Sequence, residues 1–270
     1  MIIERIWPDN AWRNYHYLIA CGETGQAMAV DPLDWRSVHE AAQRRGWTIT
    51  HILNTHEHGD HTTSIATLTR KLQIPLYTMP ATRAAIAATY VTSFIPLQYG
   101  VPVDDTLFTI HVCPVSHDAV APIAVCVDDG VHRVAVATDL GEWDDTLVHF
   151  MQAADLVIIE ANHDRERLRL SRYDAQLKLR IASKTGHLDN MQAGAFLAEL
   201  ARDGKQRDAW LAHLSKEANS AELATRTVRN VLAMHQRVNA YRSIQAMPAH
   251  THLVWGPAHQ GKQQRLWHDD

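Results

Sequence analysis

The sequence predicts an α/β fold, and three observations carry the prediction. Apolar β-rich runs alternate with helical stretches along the chain. The alternation falls into two halves of similar build. Polar residues recur where strands end, which is where α/β folds assemble their sites. No repeat, low-complexity tract or Ser/Gly linker divides the 270 residues, so one domain spanning 1–270 is expected, long enough to bury a sizeable core.

In the first half, "YHYLIAC" (15–21) and "AMAVDP" (27–32) read as strands, the second closed by Pro32. A helix follows over about 34–45 and stops at Gly46. "ITHILNT" (49–55) reads as a buried strand, 62–73 as a helix, "IPLYTM" (74–79) as a strand and 81–90 as an Ala-rich helix. The second half opens near residue 107. "LFTIHVCPV" leads to Ser116-His117, and "IAVCV" (123–127) pairs with "HRVAVAT" (132–138) as a hairpin across Asp128-Asp129-Gly130. "DLVIIE" (155–160) is an apolar strand ending in Glu160. Asp189 can cap a helix over 190–203, "AWLAHLS" (209–215) is a short strand, and a last helix starts at about 217.

Composition sets limits on function. A net charge of −4 gives no global field towards nucleic acid or anionic membrane, although it permits a local basic patch. Cys21, Cys113 and Cys126 are odd in number and widely spaced, so they read as buried thiols in a reducing compartment, not as a disulfide frame. The N-terminus carries Glu4 and Arg5 and lacks an apolar core, unlike a signal peptide, and no run is long enough to span a bilayer. A cytoplasmic protein with no membrane partner is expected; a homodimer is compatible with the sequence.

The chemistry concentrates in "LNTHEHGDHT" (53–62), directly after a predicted strand. Four ligand-type side chains in the order His56-x-His58-x-Asp60-His61 would repel or desolvate one another unless a metal compensates them. His56 and His58 can serve one metal, while Asp60 and His61 turn towards a second about 3.5–4 Å away. Asp31, His117, Asp139, Glu160 and His213 also stand at or just past strand ends. Of these, His117 and His213 fit as further nitrogen ligands and Asp139 as a bridging carboxylate. The plain alternative for each distant residue is an ordinary polar loop position. Asp31 suits a supporting role, holding the histidine loop by hydrogen bonds.

"THEHGDH" resembles the signature of the metallo-β-lactamase superfamily, whose fold is a four-layer αβ/βα sandwich with a dinuclear metal site. The segments "VSHDAVAPIAVCVDDGVHRVAVATDLG" (115–141), "LVIIEANHD" (156–164), "LKLRIASKTGHLDN" (177–190) and "LAHLSKEANS" (211–220) resemble its YycJ/WalJ-like branch. "NYHYLIACGETGQAMAVDPLD" resembles the opening of glyoxalase II enzymes. The resemblance implies His56, His58 and His117 on one metal, Asp60, His61 and His213 on the other, and Asp139 between them. It implies two Zn²⁺, with Mn²⁺ or Fe²⁺ as alternatives, and a hydroxide held between the ions as nucleophile, with Asp60 holding it. His187 in "TGHLDN" resembles the histidine with which tRNase Z enzymes protonate the leaving oxygen, and Glu160 the acid that orients it. The plain reading of His187 is a helix-entry histidine bonded to backbone.

These expectations favour a metal-dependent hydrolase, a phosphodiesterase or nuclease acting on a phosphodiester substrate such as nucleic-acid ends. Thioester hydrolysis of the glyoxalase II kind is the alternative, although Thr62-Thr63-Ser64 stands where that family usually has Gly-Gly-Asn. Asp139 argues against β-lactam hydrolysis as more than a weak side activity. A non-catalytic or redox metal module is the remaining class. Residues 165–184 hold seven Lys/Arg against Glu166 and Asp174, which reads as a solvated helix face or as a phosphate-facing strip beside the site. Two departures from the YycJ-like pattern lie near where substrate would lie: Ala218 precedes Asn219 where two asparagines are common, and Tyr173-Asp174 replaces Tyr-Pro. The stretch 236–270 falls outside the resemblance.

Overall fold

The computed structural model describes residues 1–7, 15–86, 91, 93–246 and 253–256. It divides into two compact units, Met1–Gln98 with Ala249–Asp270, and Tyr99–Pro248.

The first unit contains β1 (Ile2–Ile6), β2 (His16–Ala20), β3 (Gln26–Val30), α1 (Trp35–Arg45), β4 (Thr48–Leu53), α2 (Gly59–Thr62), α3 (Ile65–Leu72), β5 (Leu76–Thr78), α4 (Pro80–Ala85) and β6 (Phe94–Pro96). A seven-stranded sheet runs from the C-terminal strand Leu253–Trp255 through β1 to β6 in order. Its pairings are antiparallel up to β2–β3 and parallel from β3–β4 onward. The apolar face of α1 (Val38, Ala41, Ala42) and Ile65 and Leu68 of α3 pack with Leu18, Ala29, Ile52 and Leu76. The helix expected over 62–73 starts later, as α3 at Ile65, after the short α2 has ended at Thr62. Buried Ser64 gives its N–H to Pro32 and its hydroxyl to the Leu33 carbonyl at 2.8 Å, and those bonds to another segment break the helical run. The helix expected over 81–90 is shorter: α4 ends at Ala85, where Ile86 turns extended, and residues 87–90 lie outside the described residues.

The second unit contains β7 (Val103–Asp104), β8 (Thr109–Pro114), β9 (Ile123–Asp128), β10 (Arg133–Ala137), α5 (Asp145–Met151), β11 (Leu156–Glu160), α6 (Arg165–Leu170), α7 (Ala175–Ile181), α8 (Asn190–Leu200), β12 (Arg207–Ala212), α9 (Ala221–Met234) and β13 (Tyr241–Ala246). Its sheet also has seven strands, in the order β13-β12-β11-β10-β9-β8-β7, parallel from β13 to β10 and antiparallel beyond. The two halves therefore share one plan. Continuous apolar runs such as "LVIIE" are buried throughout, as parallel strands covered on both faces require. Helices α8 and α9 approach closely at Gly194, where an added Cβ would stand 2.8 Å from the Val231 Cβ. Asp189 caps α8 in a capping box with Gln192. The last helix begins at 221, not 217, because Asn219 is buried in side-chain bonds and Ser220 supplies the cap. Strands β1, β6, β7, β13 and Leu253–Trp255 and helix α5 were not legible; the strands are mostly short or sheet-terminal, with mixed polarity.

His16 is fully buried in β2, where its Nδ1 accepts the Leu33 N–H at 2.7 Å. Burial pushes its imidazole down to about 3 from an ordinary 6.5. The unfolded chain then takes up the proton first, so this stability is present above pH 6.5 and is lost as pH falls towards 3. Between pH 7 and 5 the wild-type unfolding free energy should drop by roughly 2 kcal/mol more than that of His16→Gln, measured by urea denaturation of metal-free protein.

Candidate metal centre

The first group of candidate ligands lies beyond the carboxyl ends of the adjacent parallel strands β3 and β4. Asp31, at φ 47°, turns the chain at the end of β3 and is buried. Its carboxylate accepts four hydrogen bonds: from Asn54 Nδ2 (3.0 Å), Thr55 N–H (2.8 Å), the Thr55 hydroxyl (2.7 Å) and His61 Nδ1 (3.0 Å). Thr55 also contacts His56 Nδ1 at 3.0 Å. The His56 ring stands 4.8 Å from that of His58 and 4.0 Å from that of His61, and His61 Nε2 lies 3.7 Å from Asp60 Oδ2. The supporting role expected of Asp31 is the geometry observed.

The second group comes from the carboxyl ends of β8, β10, β11 and β12, strands that run in one direction. Asp139 and His213 adopt φ 58° and 54°, so the chain leaves both strands through a residue in the left-handed region. Glu160, the last residue of β11, is fully buried and accepts four hydrogen bonds. Oε1 takes His187 Nδ1 (2.9 Å) and His213 Nδ1 (2.6 Å); Oε2 takes the N–H groups of Leu140 (3.0 Å) and Leu188 (3.2 Å). Asp139 Oδ1 is 3.1 Å from His213 Nδ1 and 3.7 Å from His187 Nδ1. One ligand-type atom from each of Asp139, Glu160, His187 and His213 lies within 4.8 Å of the others. Burial alone would raise the Glu160 carboxyl, but the two histidines outweigh it and bring the group down to about 2. It therefore stays ionised.

His117 directs Nδ1 to the Gly186 carbonyl (3.1 Å) and Nε2 towards Asp118 Oδ1 (3.3 Å), and burial lowers its pKa. An added Cβ at Gly186 would meet the Arg180 carbonyl oxygen at 2.1 Å, so only glycine brings that carbonyl under the imidazole.

The donor chemistry fits a divalent metal. Asp31, Gly186 and Glu160 engage the Nδ1 atoms of His61, His117 and His213, which fixes the Nδ1–H tautomer and turns each Nε2 lone pair outward, as metal-binding histidines require. A lone pair on His117 Nε2 facing a carboxylate oxygen is itself stabilised by a cation.

The sequence reading missed the residues beneath these ligands. Asn54 and Thr55 anchor Asp31, and Asn162 donates to the His213 carbonyl at 2.9 Å. Their signal was present: polar residues closing otherwise apolar strands. Glu160 holds His213 as well as His187, which the sequence did not suggest. Both departures from the YycJ-like pattern have physical reasons. Ala218 is fully buried against Leu168 and Ile181, where an asparagine would need partners, and Asp174 caps α7 through the Leu177 N–H at 2.8 Å.

Residues 17–214 match the family model described as β-lactamase superfamily domain. The chain belongs to the metallo-β-lactamase superfamily. Its fold is the α/β metallo-β-lactamase sandwich expected. Exodeoxyribonuclease YycJ of Bacillus anthracis is 34% identical over 187 residues, 67% of this chain and 70% of that protein. Hydroxyacylglutathione hydrolase of Nitrosococcus oceani is 63% identical over 62 residues, 23% of this chain and 24% of that protein. The chain thus matches about a quarter of the length of that relative. The metallo-β-lactamase fold protein YhfI of Bacillus subtilis aligns over 94% of this chain and 98% of its own, with a TM-score of 0.70 at 19% identity. No helix among the described residues is long and apolar enough to cross a membrane.

Glu160→Gln places an amide N–H among four N–H donors. It should lower the unfolding free energy by about 2–3 kcal/mol, read by urea denaturation. Wild-type stability in this variant would show that the carboxylate does not organise the site.

Proposed function

We propose that the protein is a dinuclear metal-dependent phosphodiesterase that acts on nucleic-acid ends, with residues 1–270 working as one hydrolase domain. The observation that carries the reading is the pair of buried Glu160 and half-buried His187 beside Asp139 and His213, a proton donor additional to the ligand set. In this reading His56, His58 and His117 would hold one ion, Asp60, His61 and His213 would hold the other, and Asp139 would serve as a shared carboxylate ligand. Two divalent ions, Zn²⁺ first, with Mn²⁺ or Fe²⁺ as chemical alternatives, would activate water and neutralise phosphoryl oxygens. Asp60, with its side chain 21% exposed beside His61, orients the attacking water. Glu160, ionised and dry, stabilises the His187 imidazolium through Nδ1–H, and Nε2–H then protonates the leaving oxygen. The likeness to an exodeoxyribonuclease over most of both chains supports this substrate class.

Thioester hydrolysis is the second reading, favoured by the 63% identity to a hydroxyacylglutathione hydrolase, which is confined to 62 residues. Turnover of bis-p-nitrophenyl phosphate, S-lactoylglutathione and nitrocefin side by side separates the readings. Thioester turnover without any phosphodiester cleavage would replace the first with the second.

Metal analysis after mild dialysis should return about two equivalents per chain. A well-folded protein that retains no divalent ion would overturn the ligand assignment. His187→Ala should lower the rate on a dinucleotide or DNA end by about 10²–10⁴-fold, and change it little on a nitrophenyl ester, whose leaving group departs without a proton. Loss of metal in that variant would make His187 a ligand and displace His213.

A further inference from the structure

Between Glu160 and His187 the chain leaves the sheet edge as an arm that carries α6 and α7, and returns. The arm is fastened to the loops around it. The Ser116 hydroxyl donates to the Lys184 carbonyl (2.8 Å) and the Asp118 N–H to the Thr185 carbonyl (3.1 Å). The Tyr173 hydroxyl meets Ser215 Oγ at 3.2 Å, two residues past His213. Beneath, Leu168, Ile181 and Ala218 form a small apolar cluster with Tyr173 and Leu177 packed on it. The arm is thus a fixed feature beside His117, His187 and His213.

Five of its seven cations are already engaged. Arg165 pairs with Asp189, Arg169 with Glu166 (2.6 Å), Arg180 with Asp118 (2.6 Å) and Lys184 with Glu142 (3.2 Å), while Lys178 donates to the Arg169 carbonyl (2.9 Å). Arg167 and Arg172 have no carboxylate partner among the described residues, and both are exposed. They line one recess of about 300 Å³ with Leu170, Ser171 and Glu217. The Ser171 hydroxyl already donates to the Leu168 carbonyl (2.8 Å), so the two unneutralised guanidiniums on this open recess are what suit an anion, by their charge. Leu170, 66% exposed, adds an apolar surface that a sugar or base can cover. Glu217 is the one acid in the lining and sets a limit on affinity.

We propose that Arg167 and Arg172 form an anion subsite that takes a backbone phosphate of a single polynucleotide strand, away from the bond that is cut. This rests on the phosphodiesterase reading for its substrate class. The arm's attachment beside His187 and His213 gives the subsite its use: it holds the strand while its end lies at the catalytic residues.

The test is binding of a fluorescein-labelled, phosphorothioate-linked single strand on the order of 20 nucleotides long, followed by anisotropy against salt. The metal-loaded wild type is compared with Arg167→Glu/Arg172→Glu and Arg167→Lys/Arg172→Lys, with circular dichroism to show that each is folded. Charge reversal should weaken binding at least tenfold and reduce the salt slope by about 1; the lysine variant should keep most of the affinity. In turnover, KM for a long strand should rise more than KM for bis-p-nitrophenyl phosphate. Wild-type protein that cleaves strands, with the reversed variant binding as tightly, overturns the subsite and leaves the phosphodiesterase reading standing. Strand binding lost in the variant, with no phosphodiester cleaved by the wild type, supports the subsite and overturns the reading. A wild type that does not bind the strand overturns the subsite.

Discussion

A buried carboxylate must find donors, and one such carboxylate organises each half of this protein. Asp31 and Glu160 both close an apolar strand, both are buried, and each accepts four hydrogen bonds. An ionised carboxylate in that position is costly unless its lone pairs are filled. Filling them draws in backbone N–H groups and histidine Nδ1 atoms from loops far apart in sequence. The histidines are then locked by the bonds that satisfy the carboxylate, and their outward nitrogens are aligned as a consequence. Stability and site geometry come from the same contacts.

Parallel pairing does the rest of the assembly. Strands that run in one direction deliver their carboxyl ends to one edge, so Asp139, Glu160 and His213 become neighbours although 74 residues separate the first from the last. The left-handed backbone at Asp31, Asp139 and His213 is the local strain that this convergence demands, and five non-glycine residues among those described adopt it in all. The remaining two, Gln73 and Gln236, lie at helix ends, where such a conformation is common. Strain therefore concentrates at the candidate site.

The likenesses to other proteins divide along the chain in a way that bears on function. A short stretch is close to hydroxyacylglutathione hydrolases, whereas the broader match, over 187 residues, is to an exodeoxyribonuclease. The ligand-type motif is shared widely in such a superfamily and discriminates poorly between substrates. Glu160, His187 and the basic arm between them belong to the second unit, and the phosphodiesterase proposal rests on them.

By itself the sequence determined the alternation of strands and helices, the superfamily resemblance and the identity of each candidate ligand. These are local properties: apolar periodicity, Gly46 and Asp189 as helix boundaries, and a histidine run whose mutual repulsion demands a purpose. It left open the sheet order, the outer strands and the residues beneath the ligands. Edge strands lack a strong pattern because only part of their surface is buried. Asn54, Thr55 and Asn162 look ordinary until the fold shows which carboxylate or carbonyl they serve. Tertiary structure alone decided that Glu160 holds two histidines and that five of the arm's cations are engaged, because partners separated by up to 62 residues in an ion pair leave no mark on local spacing.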